Sequence, residues 1–208
     1  MLVGRQSWRF DNKPVILSSA VVGGPFEAKS PLAEDFDQFH DDLWIEQDSF
    51  EKAEVKLLEH ACEKALEKAG LQSTDINFLL SGDLDNQITS SSFAARGLSI
   101  PYLGLFGACS TSMEGLAIAS KLIDNDGAYY VMAATASHNA AAEKQFRYPT
   151  EYGAQKPPTA QWTVTGAGAV ILGREGDGPQ VVSATIGKVV DMGISDPFNM
   201  GAAMAPAA

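Results

Sequence analysis

One cysteine, Cys109, has neighbours that could make it a nucleophile or part of an anion-binding turn. An apolar run over 102–106 leads into Gly107, and a helical pattern over 111–124 follows the cysteine directly. Small residues permit a tight turn from strand to helix, which would place Cys109 and Ser110 at the helix N-terminus. Unpaired N–H groups and the helix dipole there favour a thiolate or a bound carboxylate. A buried small residue that closes a turn is the structural alternative.

Two aspartates, Asp83 and Asp85, follow another apolar run, over 77–81. Parallel sheets bind ligands at the carboxyl ends of their strands. Asp83 could therefore accept a hydrogen bond from a ligand, or it could supply an oxygen to calcium. Gly-Asp and Asp-Asn are also ordinary turn pairs, so turn formation is the alternative for both residues.

His138 and Arg147 complete the set of candidate binding residues. His138 follows the apolar run over 128–135 and could donate to a carboxylate, or it could be a histidine whose hydrogen bonds are satisfied in its own loop. Arg147 could bind a carboxylate through two parallel hydrogen bonds, or it could lie in a surface loop or a dimer contact. We predict no metal bound by protein ligands alone, because no cluster has the spacing of zinc ligands.

The elements that must position these residues alternate between strand and helix. The pattern predicts strands at 14–22, 77–81, 102–106, 128–135, 162–173 and 181–190, and helices at 49–69, 88–97 and 111–124. Asp48 has capping-box spacing with Glu51, and Gly70 is placed to end the first helix. Residues 138–161 lack periodicity and read as a loop. The order predicts an α/β fold with a mostly parallel sheet covered by helices.

Composition narrows the classes of function. The chain has 208 residues, a formal net charge of −11 and only two cysteines. An acidic chain repels a phosphate backbone, so we predict no nucleic-acid partner. Two cysteines in unrelated contexts do not make a disulfide framework. No apolar stretch is long enough to cross a bilayer, and the first residues do not form a secretory signal, so neither is predicted.

Three motifs in order resemble the thiolase superfamily, which includes the ketoacyl synthases. They are LEKAGLQSTDINFLLSGD at 66–83, GACSTSMEGL at 107–116 and TVTGAGAVILG at 163–173. The resemblance implies a thiolase-like fold in which 1–175 form the complete first half and 176–208 begin a truncated second half. It also implies dimerisation, near 102–106 or through 138–161. If the protein is an enzyme, Cys109 would be the nucleophile of acyl transfer.

Within that superfamily the chain resembles a family of thiolase-like sporulation proteins, over 4–33, 82–116 and 137–169. That resemblance implies a non-enzymatic protein which binds dipicolinic acid (pyridine-2,6-dicarboxylate) for uptake into the developing spore. It implies no cofactor other than calcium accompanying the ligand. The expected partners are membrane proteins of the same sporulation operon and a second copy of the chain, and the expected location is peripheral, at the cytoplasmic side or surface of the spore inner membrane. The predicted ligand-binding residues are Asp83, Cys109, Ser110, His138 and Arg147.

Overall fold

The computed structural model describes residues 1–146, 163–195 and 199–206. Its strands are β1 (Leu2–Val3), β2 (Ser7–Arg9), β3 (Val15–Gly23), β4 (Gln38–Phe39), β5 (Phe78–Gly82), β6 (Tyr102–Gly104), β7 (Tyr130–Ser137), β8 (Gly166–Gly173) and β9 (Ser183–Thr185). Its α-helices are α1 (Phe50–Ala69), α2 (Thr89–Leu98), α3 (Thr111–Asp124), α4 (Asn139–Phe146) and α5 (Met200–Met204).

Six strands form the main sheet, in the order β4-β3-β8-β7-β5-β6. Five of them run in one direction, and β8 is antiparallel to both of its neighbours, β3 and β7. The parallel pairs need crossover connections, which α2 supplies between β5 and β6 and α3 supplies between β6 and β7. The predicted α/β architecture with a mostly parallel sheet is confirmed, and β8 makes the sheet mixed.

The two faces of the sheet have separate hydrophobic cores. On β5, Leu79 packs into the core beneath α1 and α2, whereas Leu80 packs into the core beneath α3. Successive side chains of a strand point to opposite faces, so this alternation gives each face its own helices. The same alternation continues past the end of β5 and decides where the predicted site residues lie.

The first helix begins one residue later than the capping-box pattern indicated. Ser49, not Asp48, is the N-cap: its hydroxyl accepts a hydrogen bond from the Lys52 amide at 3.2 Å. Asp48 instead forms an exposed ion pair with the Lys52 ammonium at 2.7 Å. Gly70 ends the helix in the left-handed region, with φ 67°, as predicted, because glycine adopts a positive φ without a Cβ clash.

Two stretches differ from the sequence prediction. Residues 138–161 were expected to form a loop, but α4 occupies Asn139–Phe146, where consecutive alanines favour a helix. The remainder of that stretch, with Arg147, lies outside the described residues. The strand expected at 181–190 is reduced to β9, which pairs with β2 in a separate three-stranded sheet. The division of the chain at residue 175 stays a prediction.

Candidate functional site

The segment from Leu105 to Thr111 forms the strand-to-helix turn that the sequence predicted. Leu105 is buried, and a 3-10 turn over Ala108–Ser110 leads directly into α3. Ala108 takes a φ of 47°, a region that costs a non-glycine residue energy and is common at functional sites. Cys109 is consequently exposed to solvent. The predicted placement of the thiol at a helix start is therefore what the structure shows.

Backbone N–H groups collect at this turn. Its first intrahelical hydrogen bond runs from the Ser110 amide to the Gly107 carbonyl at 2.9 Å, so the amides of Ala108 and Cys109 precede the hydrogen-bonded turn. The Ser110 hydroxyl donates to the same carbonyl at 2.8 Å. Ser110 is thus a residue that stabilises the turn, while the two preceding amides are the donors that an anion could use.

Cys109 lies on the wall of an open cleft of about 370 Å³. The floor is formed by the ends of β3, β7 and β8, and the wall by Ala108, Cys109 and Ser112. None of the described residues that line the cleft is charged; the lining includes Phe36, Leu84, Val164 and the small residues Ala136, Ala167 and Gly168. A volume in this range is typical of small-molecule sites, which are mostly apolar with a few polar groups.

Asp83 lies away from the cleft, on the side of the sheet covered by α2. Its exposed fraction is 3%. One carboxylate oxygen accepts a hydrogen bond from the Asp85 amide at 2.7 Å, and the other accepts from the Ser91 amide at 2.6 Å. Leu84, between the two aspartates, is the residue that faces the cleft. The strand alternation therefore separates Asp83 from Cys109, although both follow strands at the same edge of the sheet.

His138 is also held apart from the cleft. It is fully buried and stacks on Phe50 of α1 with ring centroids 5.0 Å apart. Its Nδ1 accepts from the Ala140 amide at 3.2 Å, which leaves the Nε2 proton to donate to the Leu43 carbonyl at 2.8 Å. Burial lowers the pKa of the imidazole, which favours its neutral form. Both ring nitrogens make hydrogen bonds within the protein, so His138 is a histidine whose hydrogen bonds are already satisfied and not a donor to a ligand.

A buried carboxylate cluster surrounds Asp83, and its most deeply buried member, Glu54, was missed by the sequence reasoning. Glu54 projects from α1 with no exposed surface, and one ligand oxygen from each of Glu54, Asp83 and Asp85 lies within 4.8 Å of the others. Desolvation, followed by the charges of Asp85 and Asp83, raises the pKa of Glu54 well above its usual value. The sequence did contain a signal for its burial: Glu54 is three positions before Leu57 and four before Leu58, so it lies within the apolar stripe of α1.

Of the five predicted binding residues, the structure brings together only Cys109 and Ser110. Asp83 and His138 lie near α1 on the other side of the sheet, and Arg147 falls outside the described residues. Within the described part of the chain, no helix is both long and apolar enough to cross a membrane.

A profile of the stage V sporulation protein AD family matches residues 4–208. The chain belongs to this family. It is 52% identical over 207 residues to stage V sporulation protein AD of Bacillus subtilis (strain 168), covering 100% of this chain and 61% of that relative. The resemblance to thiolase-like sporulation proteins is thereby confirmed, and membership supports a role in sporulation. The chain spans about three-fifths of the length of the curated relative that it matches.

Solved structures confirm the thiolase-like fold. The 3-oxoacyl-[acyl-carrier-protein] synthase III of Aquifex aeolicus VF5 superposes with a TM-score of 0.54 at 19% identity, covering 79% of this chain and 55% of that one. The H285N variant of Xanthomonas campestris OleA gives a TM-score of 0.55 at 15% identity, covering 80% and 57%. At such identities the likeness concerns the fold alone.

The two cysteines are expected to differ sharply in reactivity. In the native full-length protein, a thiol reagent should modify Cys109 rapidly and leave Cys62 unmodified, because Cys62 lies fully buried on the core-facing side of α1 and its pKa is raised by desolvation. Peptide mass spectrometry after timed labelling measures both sites. If Cys62 were labelled as fast as Cys109, the burial of Cys62 or the exposure of Cys109 would be wrong. Denaturant should make the two labelling rates converge.

Proposed function

We propose that the protein binds dipicolinic acid in the cleft beside Cys109 and that it does so without catalysis. The observation that carries the proposal is the turn before α3. The amides of Ala108 and Cys109 precede its first hydrogen bond, both residues line the cleft, and no described residue of that lining is charged although the chain has a net charge of −11. Oriented amides at a helix start attract one carboxylate of the ligand. The apolar floor supplies a surface on which a flat ring can pack.

The cleft offers one further polar group near the cysteine. Ser112 is exposed in the first turn of α3, and its hydroxyl makes no hydrogen bond within the described residues. The hydroxyls of Thr135 and Ser137 are already donated, to the carbonyls of Gly82 and Val164 at 3.0 and 2.6 Å. Ser112 is therefore the side chain best placed to complement the amides, and calcium that accompanies the ligand would offset the repulsion from the acidic protein.

The proposed setting is uptake of this dicarboxylate into the developing spore. In it, the protein acts as a homodimer at the surface of the spore inner membrane, together with membrane proteins of the same sporulation operon. Family membership supports the sporulation setting. The exposed edge strand β6 and the neighbouring side chain of Phe106, which is 77% exposed, support a protein–protein contact beside the cleft.

Calorimetry on the full-length protein tests the proposal. Dipicolinate, with and without calcium, should give a saturable heat of binding, and pyridine-2-carboxylate should bind more weakly because it lacks the second carboxylate. The monoacid is the matched control, since it keeps the ring and one charge. If neither dipicolinate titration gives a heat of binding above dilution, the proposal is wrong.

Acyl transfer is the second candidate function, and the exposed thiol of Cys109 on a thiolase-like fold is the observation that favours it. An enzyme of this kind would transfer an acyl group from an acyl thioester to the Cys109 sulfur, with release of the donor thiol. Incubation with acyl-coenzyme A followed by intact-mass measurement separates the two functions. An acyl adduct that is lost in Cys109→Ser would support the enzyme, whereas an unmodified protein that still binds dipicolinate would support the carrier.

A further inference from the structure

Glu54 is a buried carboxyl group whose two oxygens have no hydrogen-bond partner among the described residues. Glu54 has 0% exposed surface, and neither its Oε1 nor its Oε2 has a partner among the described residues. The Oδ1 of Asp85, a residue with 2% exposure, is unpartnered as well. An unpaired buried carboxylate is costly, so three such oxygens in one place indicate a bound group that satisfies them.

No basic side chain of the described residues neutralises this cluster. The charge of Lys144 acts on Asp85, but the Lys144 ammonium pairs with Glu51 at 2.6 Å. The backbone amide of His138 is close enough to favour the charged form of Glu54 weakly, yet it makes no hydrogen bond that satisfies either oxygen. Among the described residues, the three acidic groups therefore face one another without a basic side chain paired to any of them.

The surrounding hydrogen bonds hold the aspartates in place and leave particular oxygens available. The hydroxyls of Ser90 and Ser91 donate to Asp85 Oδ2 and Asp83 Oδ2, each at 2.5 Å. The Asp85 amide occupies only one lone pair of Asp83 Oδ1. These contacts hold both carboxylates in place, as an outer shell does around a metal, and they leave Asp85 Oδ1 without a partner among the described residues.

We propose that Glu54, Asp83 and Asp85 bind one calcium-sized divalent cation, which joins α1 to the segment after β5. The ligand set consists of oxygen alone, which suits a hard cation and does not favour zinc or copper. No two of the ligand atoms are more than 4.8 Å apart, and opposite oxygens across a calcium ion are about 4.6–5.2 Å apart. Glu54, with both oxygens available, can coordinate in a bidentate manner.

The cation site is separate from the cleft at Cys109. Asp83 and Asp85 point toward α2, and the side chain between them, Leu84, lines the cleft. The cation is thus a structural one and is distinct from any calcium that accompanies a ligand. Metal binding must for this reason be measured in the absence of dipicolinate, so that failure of this proposal and failure of the proposed function give different results.

The competing account is that Glu54 stays a neutral carboxylic acid. Both accounts remove the cost of a buried charge, but they predict opposite responses to Glu54→Gln. A glutamine has the shape of the neutral acid and would replace it with little effect or a gain in stability. A glutamine cannot replace a cation ligand, so it would abolish the stabilisation that calcium provides.

The test uses purified full-length protein, stripped with EDTA and free of dipicolinate. After equilibrium dialysis, metal analysis should find about one calcium per chain more in the wild type than in Glu54→Gln. Calcium should also raise the melting temperature of the wild type by about 5 °C. Magnesium should raise the melting temperature less, because magnesium gives up its bound waters reluctantly and is rarely held by protein ligands alone. The matched control is Glu63→Gln, an exposed glutamate on the same helix, which should keep both the calcium and the thermal shift.

Three results would overturn the proposal. One is equal calcium binding by the wild type and Glu54→Gln, and another is a wild type whose melting temperature is the same in calcium and in EDTA. The third is a Glu54→Gln variant that melts above the wild type in both conditions, which identifies a neutral acid. If Glu54→Gln does not fold, Asp85→Asn replaces it, because this variant changes the other carboxylate that has an unpartnered oxygen. Asp85→Asn must then lose the bound calcium. The effect of calcium on the melting temperature of the wild type tests the proposal without any variant.

Discussion

Replacing Gly82 with alanine is expected to lower the free energy of unfolding by about 3 kcal/mol. Gly82 ends β5, and a Cβ built there overlaps the carbonyl oxygen of Leu105 and lies 3.0 Å from Cγ2 of Thr111. The obstacle is backbone, so no side-chain rotation relieves it, and the segment between β6 and α3 must move away from the sheet. Because that segment leads to Cys109, ligand binding in the cleft should fall together with stability. Chemical denaturation and calorimetry of the full-length protein measure the two effects.

The matched control for this change is Gly168→Ala. Gly168 lies in β8 of the same sheet, but a Cβ there meets only the Ala20 carbonyl oxygen at 3.8 Å, which is ordinary contact. Its free energy of unfolding should change by less than about 1 kcal/mol, because a strand glycine loses more entropy on folding than alanine does. If both substitutions lowered the free energy of unfolding equally, the close approach of Leu105 would not be the reason for glycine at position 82.

Replacing Cys109 with aspartate is expected to weaken dipicolinate binding by about 100-fold, which rests on the proposed function. The substitution places a fixed negative charge in the turn before α3, where the amides of Ala108 and Cys109 precede the first hydrogen bond and both residues line the cleft. The new carboxylate would occupy those donors itself and repel the ligand. The protein should stay folded, since position 109 is exposed and acidic groups are favourable at helix N-termini. The dissociation constant from calorimetry gives the result.

Two controls separate charge from shape in that experiment. Cys109→Ser keeps the size of the side chain and removes the nucleophile, so it should retain binding within about threefold of the wild type. Thr74→Asp adds the same charge at an exposed position before β5, at the opposite end of the strand from the cleft, and it should leave affinity unchanged. Wild-type affinity in Cys109→Asp would place the ligand elsewhere on the protein.

The order of strands and helices was predictable because it depends on local patterns. Apolar runs predicted five of the six strands of the main sheet, and the spacing in α1 and the glycine at position 70 predicted its face and its end. The two-residue strand β4 was not predicted. The turn at Cys109 was predictable for the same reason, since a strand, small residues and a helix follow one another without a gap. The N-cap differed by one residue because Asp48 and Ser49 compete for the same role, and only the hydrogen bond to Lys52 distinguishes them.

The sequence by itself determined that Cys109 stands at the start of a helix, because every residue that builds that turn is a close neighbour in the chain. That its thiol is exposed is a finding of the structure. Only the tertiary structure decided which residues surround Asp83 and His138. Asp83 faces α2 because of the strand alternation after β5. His138 packs on Phe50 of α1 and is held there by its hydrogen bond to the distant Leu43 carbonyl. Glu54 precedes Asp85 by 31 positions, and its approach to Asp83 and Asp85 depends on how α1 packs across the sheet, which no local pattern encodes.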